Sequence, residues 1–210
     1  MRSGRQDGSM LSGSACAAHG YNSEAHGVYV VDLFDRSYCE RLVVRLRRLN
    51  SWEPAEVSVT EDGESRAMIR PDTRAALTIA REDAAEIHES FEDKVRSDIR
   101  NLVNGIWGVD LPRCSGTHLI RYPKGGHYIV HQDWDDGNFA HRYFTVLCYL
   151  NDNFADGGTH FPSLNHTVKP IAGKAVIFPS QYMHAAQPVS HGEKFVFVTW
   201  MCGPVPVRWL

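Results

Sequence analysis

THLIRYPKGGHYIVHQDW, residues 117–134, reads as two short β-type runs joined by the turn residues PKGG. The same texture continues downstream, where RYFTVLCYLN, THFP, KAVIFP and KFVFVTWM are separated by Gly, Asn, Asp and Pro. Many short strands in series predict a sandwich or barrel. Upstream the periodicity is helical instead. Leu42, Val43, Leu46 and Leu49 recur at helical spacing behind Ser37 and Glu40, whose separation is that of a capping box. A longer helix is expected over 82–106, because Ile87, Phe91, Val95, Ile99, Leu102, Val103 and Ile106 form one stripe and Gly105 and Gly108 lie near its end. Helices first and strands afterwards predict a mainly β member of the α+β class. The expected architecture is a double-stranded β-helix (jelly roll, cupin-like barrel) with N-terminal supporting helices on one outer face.

The 210 residues, 43% of them hydrophobic, are enough for one core. Residues 1–26 are rich in Gly, Ser and Ala and show no apolar periodicity, so a flexible N-terminal segment is expected there, with the domain over 27–210. The stretch 51–80 is mixed in character, with a turn signal at Glu61, Asp62 and Gly63 and cations at Arg66, Arg70 and Arg74. A formal charge of −3 with interspersed signs argues against nucleic acid as a partner. No run approaches the roughly 18 to 20 apolar residues that a membrane span needs, and no secretory pattern opens the chain, so a soluble cytoplasmic protein without a membrane partner is expected. Five cysteines with no CxxC pair are expected to be reduced thiols.

His131 and Asp133 are two apart in a β-type run, which points imidazole and carboxylate the same way. His184 follows KAVIFP after the short turn SQYM and is the candidate third ligand. Two histidines and a carboxylate leave coordination positions open, as non-haem iron(II) chemistry requires, although zinc hydrolases also use this set. In KFVFVTWM, Lys194, Val196, Val198 and Trp200 share one face. If that face is inward, the ammonium calls for an anionic ligand, whereas on an outward face it would simply reach solvent. Tyr149, on the face of RYFTVLCYLN shared with Tyr143, Thr145 and Leu147, could serve the same anion or be packing surface. Tyr122 and Tyr128 flank PKGG as cavity lining or ordinary strand aromatics.

Taken together, RYPKGGHYIVHQD, YFTVLCYLN, DGGTHFP, GKAVIFPS and HAAQPVSHGEKFVFVTW resemble the prolyl 4-hydroxylase-like branch of the iron(II)/2-oxoglutarate dioxygenases, over about residues 117–202. That resemblance implies iron(II) held by His131, Asp133 and His184, with O2 and 2-oxoglutarate as cosubstrates and ascorbate as an accessory. It further implies that Lys194 pairs with the distal carboxylate of 2-oxoglutarate and Tyr149 assists, while Tyr122, Thr145 and Trp200 line the pocket. The implied reaction hydroxylates an unactivated C–H bond and releases succinate and CO2. Asp133 points to hydroxylation because related halogenases lack the carboxylate; desaturation and ring chemistry stay open. The turn GGTHFP lacks the acidic residue that often follows the paired glycines in relatives, a departure that bears on substrate detail.

Two other readings share the residues: a non-catalytic jelly-roll metal-binding or sensing module, and a zinc hydrolase on a cupin-like barrel. Substrates compatible with the sequence are a small molecule, a free amino acid or a peptidyl residue, prolyl among them. The stretch 51–81 and the loop 134–141 are expected to border the mouth, with Arg66, Arg70, Arg74, Asp135 and Asp136 as candidate contacts. The oligomeric state is open, and the tail PVPVRWL is expected to pack on its own domain or a neighbour.

Overall fold

In the computed structural model, which describes residues 20–61 and 64–204, all nine residues of the strand Lys194–Cys202 are buried. Side chains alternate across a strand, and here the two faces serve different cores. Phe195, Phe197 and Met201 join a cluster beneath the helices, while Val196, Val198, Trp200 and Cys202 face a second cluster inside the barrel. Burial on both faces is why this run is almost continuously apolar.

That strand sits within an eight-stranded sheet ordered Tyr21–Ala25, Val28–Asp32, Lys174–Pro179, Arg142–Tyr149, Lys194–Cys202, Arg113–Tyr122, Leu77–Ile79 and Trp52–Pro54. A five-stranded sheet faces it, ordered His166–Val168, Thr159–Phe161, His184–Ala186, His127–His131 and Arg74–Ala75. The paired strands are antiparallel throughout. This is the double-stranded β-helix expected, with helices on the outer face of the larger sheet.

Several local expectations are corrected. Tyr21–Ala25 is an edge strand paired with Val28–Asp32, so the ordered domain starts before residue 27. The sequence YNSEA gave no apolar signal because that strand is almost wholly exposed. Residues 1–19 and 205–210, including most of the tail PVPVRWL, lie outside the described residues. The first helix, Arg36–Leu46, buries Cys39, Leu42, Val43 and Leu46, but Asp35 is its N-cap and no side chain caps it. Ser37 and Glu40 therefore lie inside the helix and form no capping box. The mixed stretch 51–80 is built of short strands, among them a hairpin of Val57–Glu61 with Glu64–Met68, whose turn residues Asp62 and Gly63 lie outside the described residues. On Arg142–Tyr149, a register shift between Arg142 and Phe144 takes Tyr143 away from Thr145 and Leu147 to the helix-side cluster.

The long helix is also segmented: a 3-10 turn Arg81–Ala84, an α-helix Ala85–Lys94, a π segment Val95–Ile99 and an α-helix Arg100–Trp107. Ile87, Phe91, Val95, Ile99 and Val103 repeat every four residues and are all buried. A strict four-residue repeat drifts round a helix of 3.6 residues per turn, and the wider π turn takes up part of that drift. Gly108, in the left-handed conformation at φ 68°, ends the helix, while Gly105 lies within it. The helix packs through Phe91, stacked on Phe197 with ring centres 4.5 Å apart and planes 8° from parallel. Truncating the completely buried Phe91 to Ala removes that stack and leaves a cavity, so Phe91→Ala should lower unfolding free energy by about 3–5 kcal/mol in urea titrations followed by circular dichroism; a loss under about 1 kcal/mol would mean that the helix is not anchored through this ring.

Candidate metal centre and its cavity

The strand His127–His131 ends at His131, and Asp133 lies just beyond it, held by its backbone N–H donating to Ser180 O at 3.0 Å. The shared direction expected from strand alternation thus comes from a tethered segment after the strand. His184 opens the strand His184–Ala186 directly opposite His131. The turn SQYM does not lead into a neighbour of Lys174–Pro179; it carries the chain from the large sheet to the small one. Three residues from two separate stretches of sequence are thereby brought together, with candidate ligand atoms all within 4.8 Å of one another. Nε2 of His131 is 3.6 Å from Asp133 Oδ1, and Nε2 of His184 is 3.5 Å from Asp133 Oδ2.

The two imidazoles are oriented in the same way. His131 Nδ1 is 2.8 Å from Ile129 O and His184 Nδ1 is 2.9 Å from Tyr182 O, each a carbonyl two residues earlier in the chain. Nδ1 therefore carries the donated proton and Nε2 keeps a free lone pair, the arrangement that metal-ligating histidines require. Thr145 donates its hydroxyl to Asp133 Oδ2 at 2.7 Å and lies 3.1 Å from the Ser180 hydroxyl. Burial alone would raise the Asp133 carboxyl, but the two imidazoles and the Thr145 hydroxyl hold it well below the usual carboxylate range. Burial lowers His184 to about 4, keeping it a neutral donor at physiological pH. An anionic carboxylate and two imidazoles that turn Nε2 inward suit one divalent cation at about 2.0–2.2 Å from each ligand atom, and the open side suits iron(II).

These groups border a cavity of about 530 Å³ between the sheets. Tyr122, Thr145 and Trp200 line it, as do Ile120, Leu147 and Val198. Glu56, Val57, Ser58 and Ala67 border it on one side and Trp134, Asp135 and Phe139 on another, the two stretches expected at the mouth. Of the candidate contacts, Arg74 and Asp135 are lining residues, whereas Arg66 pairs with Glu64 and Arg70 and Asp136 are not at the wall.

Lys194 and Tyr149 stand behind the wall. The Lys194 ammonium is buried, donates to Gly157 O at 2.7 Å and sits 4.2 Å from the centre of the Tyr122 ring. Burial brings its pKa down to about 7. The Tyr149 hydroxyl is 2.6 Å from Thr159 Oγ1, and Thr159 lines the cavity. Any contact of Tyr149 with a ligand there would run through Thr159, which the sequence reading does not single out. Burial raises the Tyr149 hydroxyl beyond the normal phenol range.

Other lining residues were also missed. Arg142 lies over Trp200 at 3.6 Å and over Phe139 at 3.9 Å, and its Nη1 reaches Asp133 O at 3.3 Å. No motif marks it, because an arginine at a strand start normally reads as surface. His118 also lines the cavity. Counting back in twos from Tyr122 through Ile120 would have placed it there.

Residues 117–202 match the family described as the 2OG-Fe(II) oxygenase superfamily. A protein of Acanthamoeba polyphaga mimivirus bearing a prolyl 4-hydroxylase name is 41% identical over 114 residues, covering 45% of this chain and 47% of that protein. The solved structure of a Pseudomonas putida prolyl-4-hydroxylase superposes with a TM-score of 0.62 at 20% identity, covering 84% of this chain and 93% of that one. A prolyl hydroxylase from Trichoplax adhaerens, in complex with a hypoxia inducible factor oxygen degradation domain peptide fragment, superposes with a TM-score of 0.56 at 17% identity over 84% of this chain and 83% of that one. The structural matches speak to the fold. The chain spans about half, or less, of the length of the curated relatives it matches. The match to the 2OG-Fe(II) oxygenase superfamily thus spans residues 117–202, the stretch that carries all three metal-site residues.

Proposed function

We propose that this chain is an iron(II)- and 2-oxoglutarate-dependent hydroxylase that acts on a peptidyl residue, with proline as the first candidate. The observation that carries the reading is the convergence of His131 Nε2, Asp133 and His184 Nε2 with both Nδ1 atoms already engaged by carbonyls. The prolyl hydroxylase names among the relatives favour proline, and the peptide bound to the Trichoplax adhaerens enzyme favours a peptidyl substrate.

When bound, iron with 2-oxoglutarate and O2 supplies the oxidant for C–H hydroxylation, with succinate and CO2 released. The chain's own residues position and insulate that chemistry. Thr145 holds Asp133 through Oδ2 and, with Ser180, ties the carboxylate to the large sheet. Ile120, Leu147 and Val198 give the wall an apolar stretch that limits water. Lys194 supplies a positive charge with no carboxylate among its hydrogen-bond partners in the described residues, which an organic diacid would satisfy. This buried ammonium weighs against the zinc-hydrolase reading, whose chemistry has no use for it.

Three outcomes test this reading. Purified protein given Fe(II) and 2-oxoglutarate under O2 should form succinate, and Asp133→Ala should abolish it; wild-type protein that binds Fe(II) yet forms no succinate would leave the sensing-module reading in its place. Thr145→Val keeps shape but removes the hydroxyl on Asp133, so Fe(II) affinity should fall about 10–100-fold in a metal titration, and an unchanged affinity would show that the carboxylate needs no orienting group. The third test is pH. The empty Lys194 loses its proton near pH 7 and only the ammonium attracts a carboxylate, so 2-oxoglutarate affinity should be flat below that pH. Above it, the dissociation constant should rise by up to about tenfold per pH unit, and Lys194→Met should remove this dependence; a profile identical in the variant would assign the anchor elsewhere.

A further inference from the structure

His118 stands out among the groups that the proposed chemistry leaves without a role. It lines the cavity, yet among the described residues its ring nitrogens have no hydrogen-bond partner. Its only ring contact of note is edge-on to Trp200, with centroids 5.5 Å apart and an interplanar angle of 78°. The half-buried imidazole is open to the cavity, so a ligand that fills this space must replace the solvent around it with its own hydrogen bonds or leave the ring unpaired.

A β-bulge lies next to it. Val198 is opposite His118 and Trp200 is opposite Ser115, so Thr199 alone faces both Gly116 and Thr117. Gly116, at φ +63°, takes up the extra residue, and a Cβ there would meet the Trp200 ring at 3.0 Å. Bulges of this kind re-aim side chains beside sites. His118 shares the cavity face with Ile120 and Tyr122 by strand alternation, and the bulge just beyond it leaves room at Gly116 for the Trp200 ring, which lies against Arg142.

The position of His118 along the wall also matters. Lys194 is opposite Tyr122, Val196 opposite Ile120 and Val198 opposite His118. The end that would take the diacid is thus separated from His118 by the apolar pair Ile120 and Val196, with His118 at the end shared by Trp200 and Arg142. Burial lowers the imidazole to about 4, with Arg74 and Arg142 acting in the same direction, so at neutral pH the ring presents one donor and one acceptor. Those guanidiniums disfavour a cationic group beside it. The acidic lining residues are committed to the triad (Asp133), engaged with the backbone N–H groups of Gly137 and Phe139 (Asp135) or exposed at the rim (Glu56).

We propose that His118 is a specificity residue of this enzyme, hydrogen-bonding through its imidazole to a backbone amide of the bound substrate next to the carbon that is hydroxylated. The inference rests on the hydroxylase reading above. Its probes are the tripeptides acetyl-Gly-X-Gly-amide, with X varied over the coded amino acids, together with the ester analogue of the best one, which lacks one N–H. Stimulated succinate formation and hydroxylated product per succinate are read for wild type, His118→Leu and His118→Gln. For the best peptide, His118→Leu should raise KM about tenfold or more and lower product per succinate. His118→Gln, which keeps a donor and an acceptor, should stay within about threefold of wild type. The ester should be handicapped with wild type and equal to the amide with His118→Leu.

Equal KM and coupling in wild type and His118→Leu would overturn the proposal, as would a wild-type enzyme that no acetylated peptide stimulates. Should His118→Leu fail to fold, the amide-to-ester comparison in wild type and His118→Gln decides, since an indifferent wild type again refutes the contact. A failure of the underlying reading is visible separately: Fe(II) and 2-oxoglutarate together would then give wild type neither a visible charge-transfer band nor basal succinate, and this inference would fall with it.

Discussion

The pairing of His184 with His131 across the smaller sheet is the contact on which the chemistry depends. A three-residue strand such as His184–Ala186 has too few ladder bonds to hold its own register. Its place is set from outside, by the segment that links it to Lys174–Pro179. Ser180 donates its backbone N–H to Tyr143 O and accepts one from Asp133, and Tyr182 donates to Pro179 O before turning its own carbonyl to His184 Nδ1. All three metal-site residues are thereby referenced to the large sheet. Ligand geometry good to a few tenths of an ångström needs such support.

The inner cluster contains charges that a core built for stability alone would not keep. Lys194 is buried with a carbonyl and an aromatic face for company, Asp133 is buried between two imidazoles, and Arg142 is lowered by burial. The Lys194 and Arg142 cations are disfavoured where they stand unless a partner of opposite charge arrives. Perturbed groups gathered at one cavity are the mark of a site rather than of packing, and they differ in what they lack. Asp133 lacks a cation and Lys194 lacks an anion, so a metal chelated by a dianion answers both at once.

Much of this was legible in the chain before any coordinates, and the exceptions have physical reasons. The alternation in KFVFVTWM placed Lys194, Val196, Val198 and Trp200 on one face because period two is enforced by the strand itself. The HxD pair and His184 could be joined only by analogy, because nothing local in SQYM says that the chain changes sheets there. Tyr149 and Lys194 were placed on the correct face, but their distance behind the wall depends on the rotamers that Thr159 and Gly157 permit. His118 was passed over because a lone histidine in a strand carries no motif. Tyr21–Ala25 escaped notice for the opposite reason: an exposed edge strand has no apolar side to show.

The division into two cores explains how one small domain holds both a stable fold and a hollow, charged site. A cavity of about 530 Å³ inside the barrel forgoes packing that a domain of this size needs. The cluster beneath the helices makes good that deficit, with Phe91 stacked on Phe197 and a buried stripe from Ile87 to Val103 pressed on the outer face of the large sheet. Because Phe197 and Val198 are adjacent in one strand, the two clusters share a backbone but almost no side chains. Residues on the helix face can therefore hold the sheet in shape while residues on the inner face vary with the substrate. The wall around His118 and Trp200 is accordingly where relatives of this fold would be free to differ without losing the barrel.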